Sequence, residues 1–397
     1  MSREEALKKA LDAVDQQYIV KIRREIHEYP ELEFDLPRTI AVVKRELDAA
    51  GIEYTEKYGQ SSVVATLNPE KTNFTIGIRA DMDALPLTEK TGLPFASKIP
   101  GQMHACGHDA HTAILIGTAK ALAEVKDELD CRVKFLFQPC EEVRGGAEYM
   151  VRDGVMDDID IIIALHVGNA VEAGTVGLCY GYSHASSTPI TIVFNGKSAH
   201  ATKPNTGNDA LAMAIKAYND IQLMLTREFD PFEKYLCSVS AINAGFTHNV
   251  IADKAEMHIS LRAYKEEVRQ FIVDRIKLIC SHAAEELGGS YTFDGEMSAP
   301  SVYNDPDICD ALSKAVVSIV GADNFILTHQ GMGSEDFSHY LTKKPGAMLR
   351  LGTGNSEKGY TASGHNNNFI IDENAFQIGA KTFIQFVFDN MNGLSKS

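Results

Sequence analysis

Apolar side chains recur at helical spacing over residues 4–27 (Leu7, Leu11, Val14, Tyr18, Ile22, Ile26). The same period predicts a helix through 36–50 that closes at Gly51, a residue suited to a helix C-terminus. The pattern then changes. Ser62–Leu67, Phe74–Ala80, Arg132–Gln138 and Asp160–His166 read as strands, and the last three are dense enough in Ile, Val, Leu and Phe to be buried on both faces. Helices at 109–125 and 146–153 separate them. This alternation predicts an α/β layer fold, with a mixed, largely parallel sheet and helices on both faces.

From about residue 186 the rhythm differs. Strand Pro189–Phe194, helix 208–227, strands Tyr235–Asn243 and Ala255–Tyr264, helix 265–287 and strand Ser290–Phe293 follow in turn. That β-α-β-β-α-β order is a ferredoxin-like α+β unit. Helices at 305–319 and 373–391 around a strand at Ala347–Gly352 then resemble a return to the first pattern. The expected organisation is a domain in two parts, 1–185 and 298–397, with an inserted domain at 186–297.

The chain of 397 residues is 44% hydrophobic and 23% charged, which excludes a mainly disordered polymer. Its 38 Lys+Arg against 54 Asp+Glu give a net charge of −16 without a basic cluster, so no nucleic-acid partner is expected. Seven dispersed cysteines make no disulfide framework. The N-terminal residues lack the apolar centre of a signal peptide. No apolar run, Ile161 to Leu165 among them, approaches the ~20 residues that span a bilayer. A soluble, reduced, cytoplasmic protein without membrane contact is the expectation.

The densest chemistry lies in His104-Ala105-Cys106-Gly107-His108-Asp109-Ala110-His111. Histidine, cysteine and aspartate so close together can supply several metal ligands. They can equally be a capped helix start with solvated histidines, or a cysteine nucleophile with its base. Two strand ends favour metal. Arg132–Gln138 runs into Pro139-Cys140-Glu141-Glu142, and Asp160–Leu165 runs into His166. Strand Phe74–Ala80 ends in acid as well, at Asp81 and Asp83. In an open parallel sheet, ligands gather beyond the carboxyl ends of the strands. Adjacent residues of extended chain point opposite ways, so one glutamate of the pair can hold metal while the other takes a proton from water.

These segments resemble one metallohydrolase family. Arg79-Ala80-Asp81-Met82-Asp83-Ala84-Leu85-Pro86, His104-Ala105-Cys106-Gly107-His108-Asp109, Pro139-Cys140-Glu141-Glu142 and Gly333-Ser334-Glu335-Asp336-Phe337 look like its signatures, in its order. Arg24-Glu25-Ile26-His27-Glu28-Tyr29-Pro30-Glu31-Leu32 fits too. The family comprises hippurate hydrolases, N-acyl-amino-acid amidohydrolases and auxin-conjugate hydrolases, with carboxypeptidase G and aminoacylase as distant relatives. The resemblance implies two divalent ions (Mn, Zn, Co or Ni) held by Cys106, His108, Glu142, His166 and His365. It makes Glu141 the general base and later the proton donor. Asp81 matches a residue that orients a metal-binding histidine in the distant relatives, a histidine replaced here by Arg79.

The resemblance also implies that the inserted domain is a lid through which homodimers form. There His200 matches a histidine that hydrogen-bonds the substrate carbonyl, often in the partner subunit's site. Asn249 and Arg262 match a grip on the substrate carboxylate. The family often has a proline two residues after the histidine matched by His365, where this chain has Asn367. His27, His104 and His111 have no role on this reading.

The implied activity is hydrolysis of an N-acyl-L-amino acid to a carboxylic acid and an amino acid. A dipeptidase or carboxypeptidase would use the same apparatus, and a binding protein that had lost its chemistry would lack part of it.

Overall fold

The computed structural model describes residues 1–143 and 145–394, and divides into two compact units. The first contains Met1–Ser183, Tyr303–Gln330 and the chain from Asp336 onward; the second contains His184–Val302 and Gly331–Glu335.

Among the described residues, the first unit is built on an eight-stranded sheet. Its spatial order is Glu53–Thr55, Val63–Leu67, Arg132–Gln138, Thr75–Asp81, Ile161–Glu172, Gly346–Gly354, Val176–Leu178, Phe325–Leu327. The site-bearing strands, in chain order, are β1 (Thr75–Asp81), β2 (Arg132–Gln138), β3 (Ile161–Glu172) and β4 (Gly346–Gly354). They form a parallel block, β2-β1-β3-β4, and antiparallel pairs flank it. This is the expected mixed, largely parallel sheet.

Burial alternates with the pleat of β3. Ile161, Ile163 and Leu165 join the large core on one face, while Ile162 and Ala164 join Met150, Ile159, Phe337 and Tyr340 on the other. Each such aliphatic side chain, fully removed from water, contributes roughly 1.5–3 kcal/mol. The helix over His108–Ala123 is buried nearly all round, as a helix covered on every side must be. It packs against the helices Gln16–His27, Pro37–Ala50 and Phe376–Asn390.

The periodic stretch over 4–27 is two helices, Arg3–Asp12 and Gln16–His27. The break has a local cause. Asp15 accepts the N–H groups of Gln17 and Tyr18 and so caps a new helix where the pattern alone continues one. The helix Pro37–Ala50 does close on Gly51, at φ +66°.

The second unit has a four-stranded antiparallel sheet, ordered Tyr235–Ala244, Lys254–Ala263, Ser186–Asn195, Ser290–Asp294. The helices Ala210–Arg227 and Glu266–Glu286 bury one of its faces. Connectivity and order together are those of the ferredoxin-like fold. Among the described residues, no helix is long and apolar enough to cross a membrane.

Candidate active site

The parallel block brings the carboxyl ends of β1, β2 and β3 side by side, because β2-β1-β3 are neighbours in the sheet. Asp81 ends β1, Glu141 and Glu142 follow β2, and His166 lies in β3. The helix His108–Ala123 starts beside them. Its N-cap, Gly107, has φ +94°, and a Cβ there would lie 2.3 Å from Val167 Cγ2. Only glycine permits both the backbone conformation and the approach. His365 arrives from a loop, fastened where its N–H donates to the carbonyl of Ala105 at 2.8 Å. Its φ of +63° is a strained value for a side chain of this size.

Cys106, His108 and His166 converge, each offering an atom within 4.8 Å of the others, and Cys106, Glu142 and His365 converge in the same way. Cys106 is common to both groups. Cys106 Sγ lies 3.4 Å from His166 Nε2, and Glu142 Oε2 lies 3.3 Å from His365 Nε2. Two ligands at ~2.1–2.3 Å from one tetrahedral cation stand about 3.4–3.6 Å apart. The backbone fixes which nitrogens face inward. His108 Nδ1 donates to the carbonyl of Asp83 at 2.8 Å and His166 Nδ1 to that of Val167 at 2.7 Å, so each presents Nε2.

Two orphaned atoms strengthen the case for metal. His108 Nε2 and Glu142 Oε1 are fully buried, lack hydrogen-bond partners among the described residues, and face each other at 3.8 Å. A buried polar atom without a partner costs roughly 1–3 kcal/mol. A pair of cations would satisfy both, and thiolate, imidazole and carboxylate are donors that Zn, Mn, Co or Ni accepts. The residues therefore fit two divalent ions.

Charge agrees. Burial, followed by His111 and Arg350, holds the His166 imidazole well below its usual pKa, which leaves it neutral and able to ligate. Burial opposes ionisation of Glu142, but His365 and His108 hold its pKa below the ordinary value. Burial pushes the Cys106 thiol up, and a bound cation would reverse that.

The glutamate pair departs from expectation in one respect. The chain turns at Cys140, with φ +53°, and does not continue extended. Both carboxylates consequently face one imidazole: Glu141 Oε2 and Glu142 Oε1 each lie 3.8 Å from His108 Nε2. Glu142 is distinguished by its contact with His365. The pair is aligned by Asp83, which the sequence marked only as a strand-end acid. Its Oδ1 and Oδ2 accept the N–H groups of Glu141 and Glu142 at 2.9 and 3.0 Å.

Asp81 has partners of its own. It receives His111 Nδ1 at 2.6 Å and Arg79 through a guanidinium nitrogen. Burial works against its charge, yet Arg79, His108 and His111 hold its pKa well below the usual range. Arg79 also reaches Gln138 at 2.8 Å and Asp336 at 2.8 Å, which links Asp81 to the Gly333–Phe337 segment.

The remaining sequence candidates belong to the second unit. His200 and Asn249 are close, because Ala199–His200 pairs antiparallel with Val250–Ile251. The N–H of Thr202 donates to His200 Nδ1 at 3.2 Å, so Nε2 carries the proton of the neutral, exposed ring. Arg262 donates to Ser334 Oγ at 2.9 Å, and among the described residues no carboxylate pairs with it. Burial lowers its pKa.

The family model described as Peptidase family M20/M25/M40 matches residues 77–389. Thermostable carboxypeptidase 1 of Saccharolobus solfataricus is 35% identical over 367 residues, 91% of this chain and 93% of its own length. N-acetylcysteine deacetylase of Bacillus subtilis is 34% identical over 368 residues, 92% of this chain and 95% of its own. A solved structure, the Bacillus subtilis YXEP protein, described as a dinuclear metal-binding peptidase of the M20 family, matches with TM-score 0.80. Its identity is 32%, covering 94% of this chain and 97% of that one. With a family model that spans most of its length, the chain belongs to peptidase family M20/M25/M40.

Proposed function

We propose that this protein is a metal-dependent amidohydrolase that cleaves N-acyl-L-amino acids to a carboxylic acid and a free amino acid. One observation carries the reading: the convergence of Cys106, His108, His166, Glu142 and His365, in which the buried atoms His108 Nε2 and Glu142 Oε1 have no hydrogen-bond partner among the described residues. Among its relatives, two are named for deacetylation of N-acetylcysteine, which is an N-acyl amino acid.

Two divalent ions held by these five side chains would polarise the amide carbonyl and acidify a water molecule. Glu141, beside His108, takes the proton of that water as its oxygen attacks the carbonyl carbon. The same carboxyl then returns the proton to the departing nitrogen as the C–N bond breaks. His200 donates Nε2–H to the carbonyl oxygen as negative charge builds there, an interaction worth a few kcal/mol, ~3, in the transition state. Arg262 and Asn249 hold the carboxylate of the amino acid. A guanidinium with no carboxylate of its own suits that task.

A cytoplasmic setting accords with the free thiols of all seven cysteines. In this reading the ferredoxin-like unit is a lid and the surface of a homodimer, and the exposure of His200 accords with its acting on the partner's site. Mn, Zn, Co and Ni all suit the donor set.

A carboxypeptidase is the second reading, favoured by a relative of that name. Metal-depleted and reconstituted protein, assayed on acetyl-, benzoyl- and glycyl-amino acids, separates the two. Metal-dependent release from the acetyl or benzoyl compounds is the expected result. Turnover of glycyl compounds alone would establish the second reading, and no turnover in either state would remove both.

A further inference from the structure

His111 is buried between two of the ligands. Its ring centroid lies 4.7 Å from that of His166 and 5.5 Å from that of His108. Both of its nitrogens are engaged. The N–H of Val167 donates to His111 Nε2 at 2.9 Å, so the proton of the neutral ring sits on Nδ1, which donates to Asp81 Oδ1 at 2.6 Å. A lone pair that accepts an N–H is not available to a cation. Asp81, His108 and His111 are close enough to suggest a ligand triad, but Asp81 and His111 are hydrogen-bonded to each other, while His108 Nε2 stands 3.8 Å from Asp81 Oδ2.

The position of Val167 explains the arrangement. Pairing between β1 and β3 ends at Arg79 opposite Ala164, and Val167 lies three residues further along. Beyond that point, His111 supplies the acceptor that a neighbouring strand would otherwise offer. The carbonyl of Val167 receives His166 Nδ1–H at 2.7 Å. One residue, Val167, thus joins the two histidines.

We propose that His111 is a positioning residue for the metal centre: kept in its Nδ1–H tautomer by Asp81, it clamps the Val167 segment and so aims His166 Nε2 toward Cys106. This rests on the two-cation reading above. Hydrogen bonds to groups that orient metal ligands are worth about 10- to 100-fold in affinity. His111→Leu removes both the acceptor and the donor. His111→Gln can still accept from Val167 and donate to Asp81.

The test uses the full chain and Co2+, whose thiolate charge-transfer band reports Cys106. Imidazole 15N spectra of the metal-free wild type should show His111 as the Nδ1–H tautomer. Chelator competition should show Co2+ affinity falling about 10- to 100-fold in His111→Leu, with an altered charge-transfer band, and largely retained in His111→Gln. An Nε2–H tautomer in the wild type overturns the assignment, as does His111→Leu that binds Co2+ as tightly as the wild type. Where His111→Leu does not fold, the wild-type tautomer and His111→Gln decide. Failure of the wild type to bind Co2+ at all removes the two-cation reading, and this assignment with it.

Discussion

Cys106 Sγ and His166 Nε2 stand 3.4 Å apart at the edge of a parallel sheet, and Cys106 is shared by both groups of converging ligands. Loss of its sulfur should therefore weaken both metal positions together. Cys106→Ser is expected to bind less than one equivalent of Zn2+ under conditions that load the wild type with two. Cys106→Asp, which keeps an anionic ligand, should retain more. Metal analysis after equilibrium dialysis checks this, and full loading of Cys106→Ser would contradict it.

The two adjacent glutamates should fail differently. Glu141→Gln is expected to keep its metal while turnover falls by about 10²- to 10⁴-fold, the usual scale of a lost general base. Glu142→Gln removes a ligand charge and should lose metal as well as activity. Paired measurements of kcat and metal content separate the two, and an active Glu141→Gln would take Glu141 out of the base role.

Asp83 accepts two successive backbone N–H groups, those of Glu141 and Glu142. Asp83→Ala leaves both without that acceptor in a partly buried turn, at up to about 1–3 kcal/mol each. Thermal unfolding should move several degrees downward, and kcat should drop because Glu141 loses its alignment. Asp83→Asn, which keeps one acceptor, should lie between. An unchanged melting temperature for Asp83→Ala would show that the turn holds itself.

His27 gives the chain a pH-dependent contribution to stability. Its ring is fully buried, with Nδ1 on Asp109 at 2.7 Å and Nε2 on Glu89 at 3.3 Å. Burial and Arg23 oppose its charge, but the two carboxylates prevail and raise its pKa above the ordinary 6.5. Folding therefore favours the protonated ring. The stabilisation is complete below pH 6.5 and is lost as the pH rises through the folded-state value. Urea unfolding of the wild type and His27→Gln should show a wild-type advantage that shrinks from pH 6 toward pH 9. An advantage that grows over that range would contradict it.

The site-bearing strands were legible because burial on both faces forces unbroken apolar runs; Asp81, Glu141 and Glu142 stood at their ends in plain view, whereas the strand that holds His166 continues past it to Glu172. The strands Glu53–Thr55, Val176–Leu178 and Phe325–Leu327 were not legible, since three residues hold no period. Asp83 and His111 were visible as residue types but not as roles. Which backbone N–H a side chain will accept depends on where a loop passes, and that is set by tertiary packing. The glutamate pair shows the same limit: the positive φ at Cys140 turns both carboxylates to one side, against the alternation that extended chain would impose.

Anomalous scattering from crystals soaked in Zn2+ tests the two-cation centre most directly. Two peaks are predicted, one among Cys106, His108 and His166 and the other among Cys106, Glu142 and His365. A single peak, or one bound by Asp81 and His111, would contradict the account.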